Sequence, residues 1–255
     1  MRKRVLWCLT GSGSFMHECS KGIAELARSG IDVEVCLSRA GEEVAKMYGV
    51  LSDLQAMGIK VLLERSSSGL EVAGRVASGR YVAIVVAPAT SNTVAKIVLG
   101  VADTLPTIAA SQALKNRLPL AILPSDYGDT VVTIYPCIVI SSRCSGCGAC
   151  ASSCPTGAIA VDSSRARIDY SRCIGCGICA ATCTSNAISC WDRSVYSCYS
   201  RDVSYVRTLE RMNVKVFTSV NDILGFVRDV AGLSNPLHRH RLGLWATQAS
   251  SSQRS

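Results

Sequence analysis

YVAIVVAPATSNTVAK, residues 81–96, decides how the first half of this chain folds. Tyr81–Ala87 is an uninterrupted, valine-rich apolar run that ends at Pro88. A run of this length reads as a strand buried on both faces, and Thr93–Leu99 behind it reads as a helix. Upstream, Arg4–Leu9, Asp32–Leu37 and Val61–Leu63 read as strands, with helices at Met16–Arg28 and Glu42–Tyr48. Downstream, a helix at Thr107–Leu114 precedes a strand at Leu120–Leu123. Strands separated by helices imply βαβ units and a parallel α/β sheet covered on both sides.

At 255 residues the chain has room for this domain and one small unit more. Hydrophobic residues make up 48% and mean hydropathy is +0.26, which excludes a disordered chain. The longest apolar run falls far short of the ~20 residues of a spanning helix. Val5–Leu9 is too short for a signal peptide, so we expect a cytoplasmic protein without membrane partners. From Ser141 the composition changes abruptly: residues 141–190 are rich in Cys, Ser, Gly and Ala. After Trp191 the α/β pattern returns, with a helix at Tyr205–Met212, a β run at Val214–Phe217 and a helix at Val220–Val230. Residues 234–255 read as a basic, flexible tail.

The chain has 14 cysteines, and eight of them form two near-copies. Cys144, Cys147, Cys150 and Cys154 are spaced x2, x2, x3 and followed by Pro155. Cys173, Cys176, Cys179 and Cys183 repeat the spacing and are followed by Thr184. A cubane iron–sulfur cluster needs four thiolates converging on one small object, and Gly146, Gly148, Gly175 and Gly177 let the backbone close around it. Structural zinc would favour two C-x2-C pairs at longer separation. The runs resemble those of bacterial two-cluster ferredoxins, with short strands expected at Ala158–Val161 and Ala187–Ser189. That resemblance implies two [4Fe–4S] clusters, the fourth cysteine of each run ligating the other cluster. One cluster would take Cys144, Cys147, Cys150 and Cys183, the other Cys173, Cys176, Cys179 and Cys154. Thr184 departs from the usual proline, which puts the backbone there in question.

Thr10-Gly11-Ser12-Gly13-Ser14 follows the first strand and opens a helix, where glycines and helix amides can cradle a phosphate. The full G-x-G-x-x-G pattern is missing, and Ser38 stands where an acidic residue would bind a ribose, which disfavours NAD. Pro88–Lys96, continuing through Gly100–Leu105, closely resembles the flavoprotein superfamily that includes phosphopantothenoylcysteine decarboxylase. The archaeoflavoprotein and dihydromethanopterin reductase (acceptor) branch is the nearest match, over Arg4 to about Pro136 and again over Ser200–Val230. The resemblance implies a flavodoxin/Rossmann-like fold and FMN. Gly11, Ser12, Gly13, Ser14 and Ser38 would hold the phosphate and ribityl region; Ala89, Thr90, Ser91, Asn92 and Thr93 would edge the isoalloxazine. It also implies a discontinuous flavin domain, residues 1–140 and 191–233, with a small α+β ferredoxin domain inserted at 141–190.

Cys8, Cys19, Cys36 and Cys137 sit in or beside apolar elements and read as buried small hydrophobes, and Cys190 and Cys198 as bystanders. His17 reads as a helix-surface residue near the flavin region, His238 and His240 as solvated tail residues, and Asp126 and Asp129 as turn residues. The net charge of +8 is largely offset by anionic cofactors, and no aromatic-interleaved basic stripe points to nucleic acid.

Clusters transfer single electrons, whereas FMN takes two and passes on a hydride. The leading expectation is therefore an iron–sulfur flavoprotein oxidoreductase that takes electrons from a redox protein or small donor and reduces a small acceptor. By resemblance, that acceptor is a dihydropterin such as dihydromethanopterin. The alternative is an electron-transfer protein relaying electrons between protein partners. A flavin-dependent decarboxylase or prenyltransferase is disfavoured, since no P-x-M-N-x-x-M segment follows Leu120–Leu123 and neither reaction needs clusters. Relatives in the superfamily often form trimers, so a homo-oligomer is expected.

Overall fold

The computed structural model describes residues 3–64, 68–212 and 214–233; the proposed tail with His238 and His240 lies outside the described residues. In chain order the first half runs β1 (Arg4–Leu9), α1 (Met16–Arg28), β2 (Asp32–Leu37), α2 (Arg39–Met47), α3 (Val50–Ala56) and β3 (Lys60–Leu63). It continues with α4 (Ser68–Ala77), β4 (Ala83–Ala89), α5 (Ser91–Leu99), α6 (Leu105–Lys115) and β5 (Leu120–Pro124). Then come β6 (Thr130–Ile134), β7 (Ile138–Val139), α7 (Ala149–Ser153), β8 (Ile159–Asp162), β9 (Arg165–Ile168), α8 (Ile178–Thr182) and β10 (Ile188–Ser189). The chain closes through β11 (Arg193–Ser197), α9 (Ser200–Arg211), β12 (Lys215–Val216) and α10 (Val220–Ala231).

β12-β5-β4-β1-β2-β3 form one sheet whose strand pairs are all parallel. Its two faces feed two apolar layers, and alternation along β1 shows how. Val5, Trp7 and Leu9 join the layer built with α1, α3 and α10; Leu6 and Cys8 join the layer built with α4, α5, α6 and α9. Burying each large side chain on either face stabilises the fold by about 1.5–3 kcal/mol. β4 starts two residues later than the apolar run suggests. Pro88 has no N–H to donate, and a register irregularity between Val86 and Ala89 accommodates it before Ala89 pairs with Pro124.

α3, α4 and the hairpin strand β9 were not anticipated. Neither was the antiparallel ribbon of β6 and β11, which pairs Thr130–Ile134 with Arg193–Ser197. The ribbon stands apart from the main sheet and carries the chain out to the cysteine-rich unit and back. There β7 pairs with β10, and β8 with β9, both antiparallel. α7 and α8 begin at Gly148 and Gly177, whose φ angles of 80° and 77° lie in the left-handed region that glycine adopts without strain. The two copies remain alike at their ends: Cys154 and Cys183 have φ, ψ of −74°, 113° and −78°, 102°. Thr184 therefore leaves the backbone in the conformation found ahead of Pro155.

Candidate cofactor sites

Strand order reverses between β1 and β4, so a crevice opens beyond their carboxyl ends, where open α/β sheets bind ligands. Thr10, fully buried, ties the two loops together. Its Oγ1 donates to Pro88 O at 2.7 Å and accepts from the Thr90 N–H at 3.0 Å. Beyond this clamp lies a cavity of about 370 Å³, within the usual range for small-molecule sites. Gly11, Ser12, Gly13, Ser14 and Thr90 form one wall, and Ser125 and Asp126, after β5, form another. α2 and its end contribute Val44, Met47 and Tyr48; the ribbon contributes Val131, Thr133 and Tyr135. Pro136 and Tyr170 close the side toward the cysteine-rich unit.

Gly13 packs against Tyr48 so closely that a Cβ there would collide with the tyrosine hydroxyl. That hydroxyl donates to Ile134 O, joining α2 to the ribbon. Burial, with a smaller contribution from Tyr135, pushes the Tyr48 phenol up to about 12, so it remains a proton-bearing donor at neutral pH. Asp126 is more than a turn residue: its Oδ2 accepts from Ser91 Oγ at 2.8 Å and Ser125 Oγ at 2.6 Å, presenting a held carboxylate to the cavity.

The other residues expected at this site are placed differently. Ser38 is buried and caps α2, accepting from the Gly41 N–H at 3.0 Å. Ala89 is buried in β4, Thr93 is buried against the Thr90 hydroxyl, and Asn92 is exposed on α5. Ser91 reaches the site through Asp126. The cavity residues that sequence reasoning missed, Met47, Tyr48, Tyr135 and Tyr170, come from segments far apart in the chain and carry no local motif.

The eight motif cysteines fall into two pockets. Cys144, Cys147, Cys150 and Cys183 line one; Cys173, Cys176, Cys179 and Cys154 line the other. Backbone N–H groups point at the sulfurs: Ala166 at Cys144 (3.4 Å), Ala187 at Cys183 (3.2 Å), Ala158 at Cys154 (3.3 Å) and Gly175 at Cys173 (3.4 Å). At Cys183 a hydrogen bond from Ser185 and amide donation lower the thiol pKa. At Cys154 burial works in the opposite direction, but Thr156 and the amides outweigh it. Burial raises Cys150, Cys173 and Cys179. A dense soft-donor set with amides aimed at sulfur suits a [4Fe–4S] cubane in each pocket.

One pocket abuts the cavity. Gly175, between Cys173 and Cys176, has φ +64°; a Cβ there would collide with the Trp191 ring and lie 3.0 Å from Met47 O. Trp191 Nε1 donates to Gly175 O at 3.0 Å, and its ring meets Tyr48 edge-on at 5.2 Å. His17 is exposed and does not line the cavity; its ring lies 5.3 Å from Tyr48 and 6.1 Å from Trp191. Two cysteines were misjudged from sequence: Cys137 and Cys190 form a disulfide at this junction. They are 53 residues apart, and only the pairing of β7 with β10 brings them together.

Residues 1–132 match the family described as Flavoprotein, and residues 143–187 match the 4Fe-4S dicluster domain. With two four-cysteine pockets, one of them against the switch-point cavity, these matches define an iron–sulfur flavoprotein oxidoreductase. The chain belongs to the Flavoprotein family. It is similar to dihydromethanopterin reductase (acceptor) of Methanocaldococcus jannaschii, 37% identical over 165 residues, which cover 61% of this chain and 67% of that protein. The Methanosarcina mazei protein of the same name is 37% identical over 168 residues, covering 62% and 70%. Among solved structures, Burkholderia xenovorans DmrB in complex with FMN, described as a cubic protein cage for redox transfer, shares the fold. Its TM-score is 0.58 at 24% identity, covering 89% of this chain and 94% of that one.

Proposed function

We propose that this protein reduces a small acceptor, a dihydropterin such as dihydromethanopterin, with electrons that pass through two [4Fe–4S] clusters to FMN. The observation that carries the reading is the junction: the Cys173–Cys176 loop touches Trp191 and Met47, and Met47 lines the switch-point cavity. When bound, the clusters supply single electrons and FMN delivers a pair as hydride. Cys144, Cys147, Cys150 and Cys183 hold the outer cluster, and Cys173, Cys176, Cys179 and Cys154 hold the one next to the cavity. Gly11–Ser14 receive the FMN phosphate on backbone amides and hydroxyls. Thr90 edges the ring system from the cavity wall and Ser91 acts through Asp126, while Ala89, Asn92 and Thr93 lie off the cavity. Tyr48 ties α2 to the ribbon through Ile134 O, and Trp191 bridges the cluster loop and Tyr48.

The domain organisation we propose is a flavin domain of residues 1–140 and 191–233 with a ferredoxin domain inserted between them. The pairing of β12 with β5, and the packing of α9 on α5 and α10 on α1, support it. Two anchored ends hold the cluster unit in place better than a single linker would. We further propose a cytoplasmic homo-oligomer. Among the described residues no helix is long and apolar enough to cross a membrane. Leu99 and Val101, at the end of α5, are exposed apolar residues suited to a contact between copies.

Anaerobic assay of the reconstituted protein with reduced one-electron donors and a panel of dihydropterins tests the reading. Reduction of one pterin, with about eight irons per flavin, is the expected result. Turnover of dyes and redox proteins alone would replace it with the electron-relay alternative.

A further inference from the structure

The Cys137–Cys190 disulfide lies at the junction between the cluster unit and the flavin cavity. Cys137 lines the pocket of Cys173, Cys176, Cys179 and Cys154, and its sulfur lies 3.8 Å from Cys179 Sγ. The three sulfurs of Cys137, Cys179 and Cys190 all lie within 4.8 Å of one another. On the opposite side the chain neighbours of both cysteines reach the cavity. Pro136 lines it directly, while Trp191 meets edge-on the ring of Tyr48, which also lines it. Tyr170 binds both together: its hydroxyl donates to Cys137 O at 2.9 Å and its side chain faces the cavity. Cys137 is buried and Cys190 partly buried, so the sulfur that faces Cys179 is the one shielded from solvent. In a reducing compartment a persistent disulfide is uncommon, and those that occur are usually catalytic or redox-sensing.

We propose that Cys137 and Cys190 form a redox-active pair that stores two electrons between the adjacent cluster and the flavin. The inference rests on the cluster and FMN assignments made above. In the reducing step the sulfur–sulfur bond breaks, each of two reduced clusters gives up one electron, and two protons from water complete two thiols. In the return step the dithiol passes two electrons and two protons to oxidised flavin, and the disulfide re-forms. The pair thus turns single-electron deliveries into the two-electron charge that hydride chemistry needs.

The test uses anaerobically prepared holoprotein whose clusters and flavin are first quantified by iron, sulfide and flavin analysis and electron paramagnetic resonance. That measurement decides the cofactor assignment separately from the thiol result. The protein is titrated with photoreduced methyl viologen, acid-quenched, unfolded and alkylated, and each cysteine is scored by peptide mass spectrometry. The expected result is a cross-linked Cys137–Cys190 peptide in the oxidised protein and two alkylated cysteines once both clusters are reduced. The wild-type protein should also accept about two electrons per chain more than a C137S/C190S variant. A cross-link that persists with both clusters reduced marks a structural staple and overturns the proposal. Alkylation of both cysteines in the oxidised protein shows that no disulfide is present and overturns it as well. If the double variant does not load clusters, the alkylation of wild-type protein decides alone.

Discussion

The parallel sheet buries Trp7, Leu9, Ile84 and Ile122 completely, with apolar layers on both faces. Between β7 and β10 the interior is another kind of object: Cys137, Cys150, Ile159, Ala166, Cys179 and Ile188, half of them cysteines. The sheet region removes enough apolar surface from water to outweigh chain entropy by itself. The cysteine-rich unit is too small for that, so metal–thiolate bonds supply most of its folding free energy. One chain therefore joins a region that folds around side chains to a region that folds around its clusters.

The largest expected effect breaks this comparison if it fails. Anaerobic removal of iron should abolish hydrogen-exchange protection across residues 138–189 while β1, β4 and β5 keep theirs. Equal loss in both regions would show that they fold as one unit. The same logic predicts that a short Gly/Ser link in place of residues 138–189 leaves a soluble FMN-binding protein. The Trp191 N–H already lies 2.8 Å from Tyr135 O, so the cut ends are adjacent. Removal of Tyr170 from the cavity wall should weaken FMN measurably in that protein.

Next in size, Ile84→Ala should cost about 2–5 kcal/mol in denaturant unfolding of the sheet region, by the same amount with and without clusters. A cost that depends on iron would couple the two cores. Within the small unit, Cys183→Ala should damage the cluster grouped with Cys144, Cys147 and Cys150, and Cys154→Ala the other. Electron paramagnetic resonance separates the two signals, and loss of the signal from each mutated residue's own run would refute the crossed grouping.

A smaller effect falls on the junction. Gly175→Ala places a Cβ at positive φ and against Trp191, a strain of about 1–2 kcal/mol. Stopped-flow reduction should then show slower flavin reduction with cluster reduction unchanged. The smallest effect lies at the far end of the sheet. Buried Glu34 accepts hydrogen bonds from Tyr81 (2.6 Å), Arg75 (2.7 Å) and Arg80 (2.9 Å). Burial opposes its ionisation, but Tyr81, Arg80 and the charge of Arg75 outweigh it, so its pKa is lowered on folding. A lowered pKa contributes stability above the unfolded value of about 4.3, and this is lost as pH falls through the folded value. Glu34→Gln should flatten that acid limb of the stability profile and leave its slope near neutral pH unchanged.

β1, α1, β2, β4 and β5 were legible in the sequence because each is specified by its own apolar pattern, and the covering layers leave no second reading. The cysteine runs were legible because their spacing is a local requirement of cluster chemistry. Of the candidate flavin site, Gly11–Ser14 and Thr90 were legible because helix-start loops after strands have a local signature. Tyr48, Tyr135 and Tyr170 were not, because a tyrosine on a helix, a ribbon or a loop looks alike until something folds against it.

By itself the sequence determined a parallel sheet, a glycine- and serine-rich loop at its edge and two cysteine runs at cluster spacing. Tertiary structure alone decided that the ribbon of β6 and β11 would swing one cysteine pocket against the cavity. It alone also joined Cys137 to Cys190 and set Trp191 between Gly175 and Tyr48. The physical reason is range. Hydrophobic period and ligand spacing are written within a dozen residues, whereas a junction between two folded units depends on shapes that exist only after both have formed.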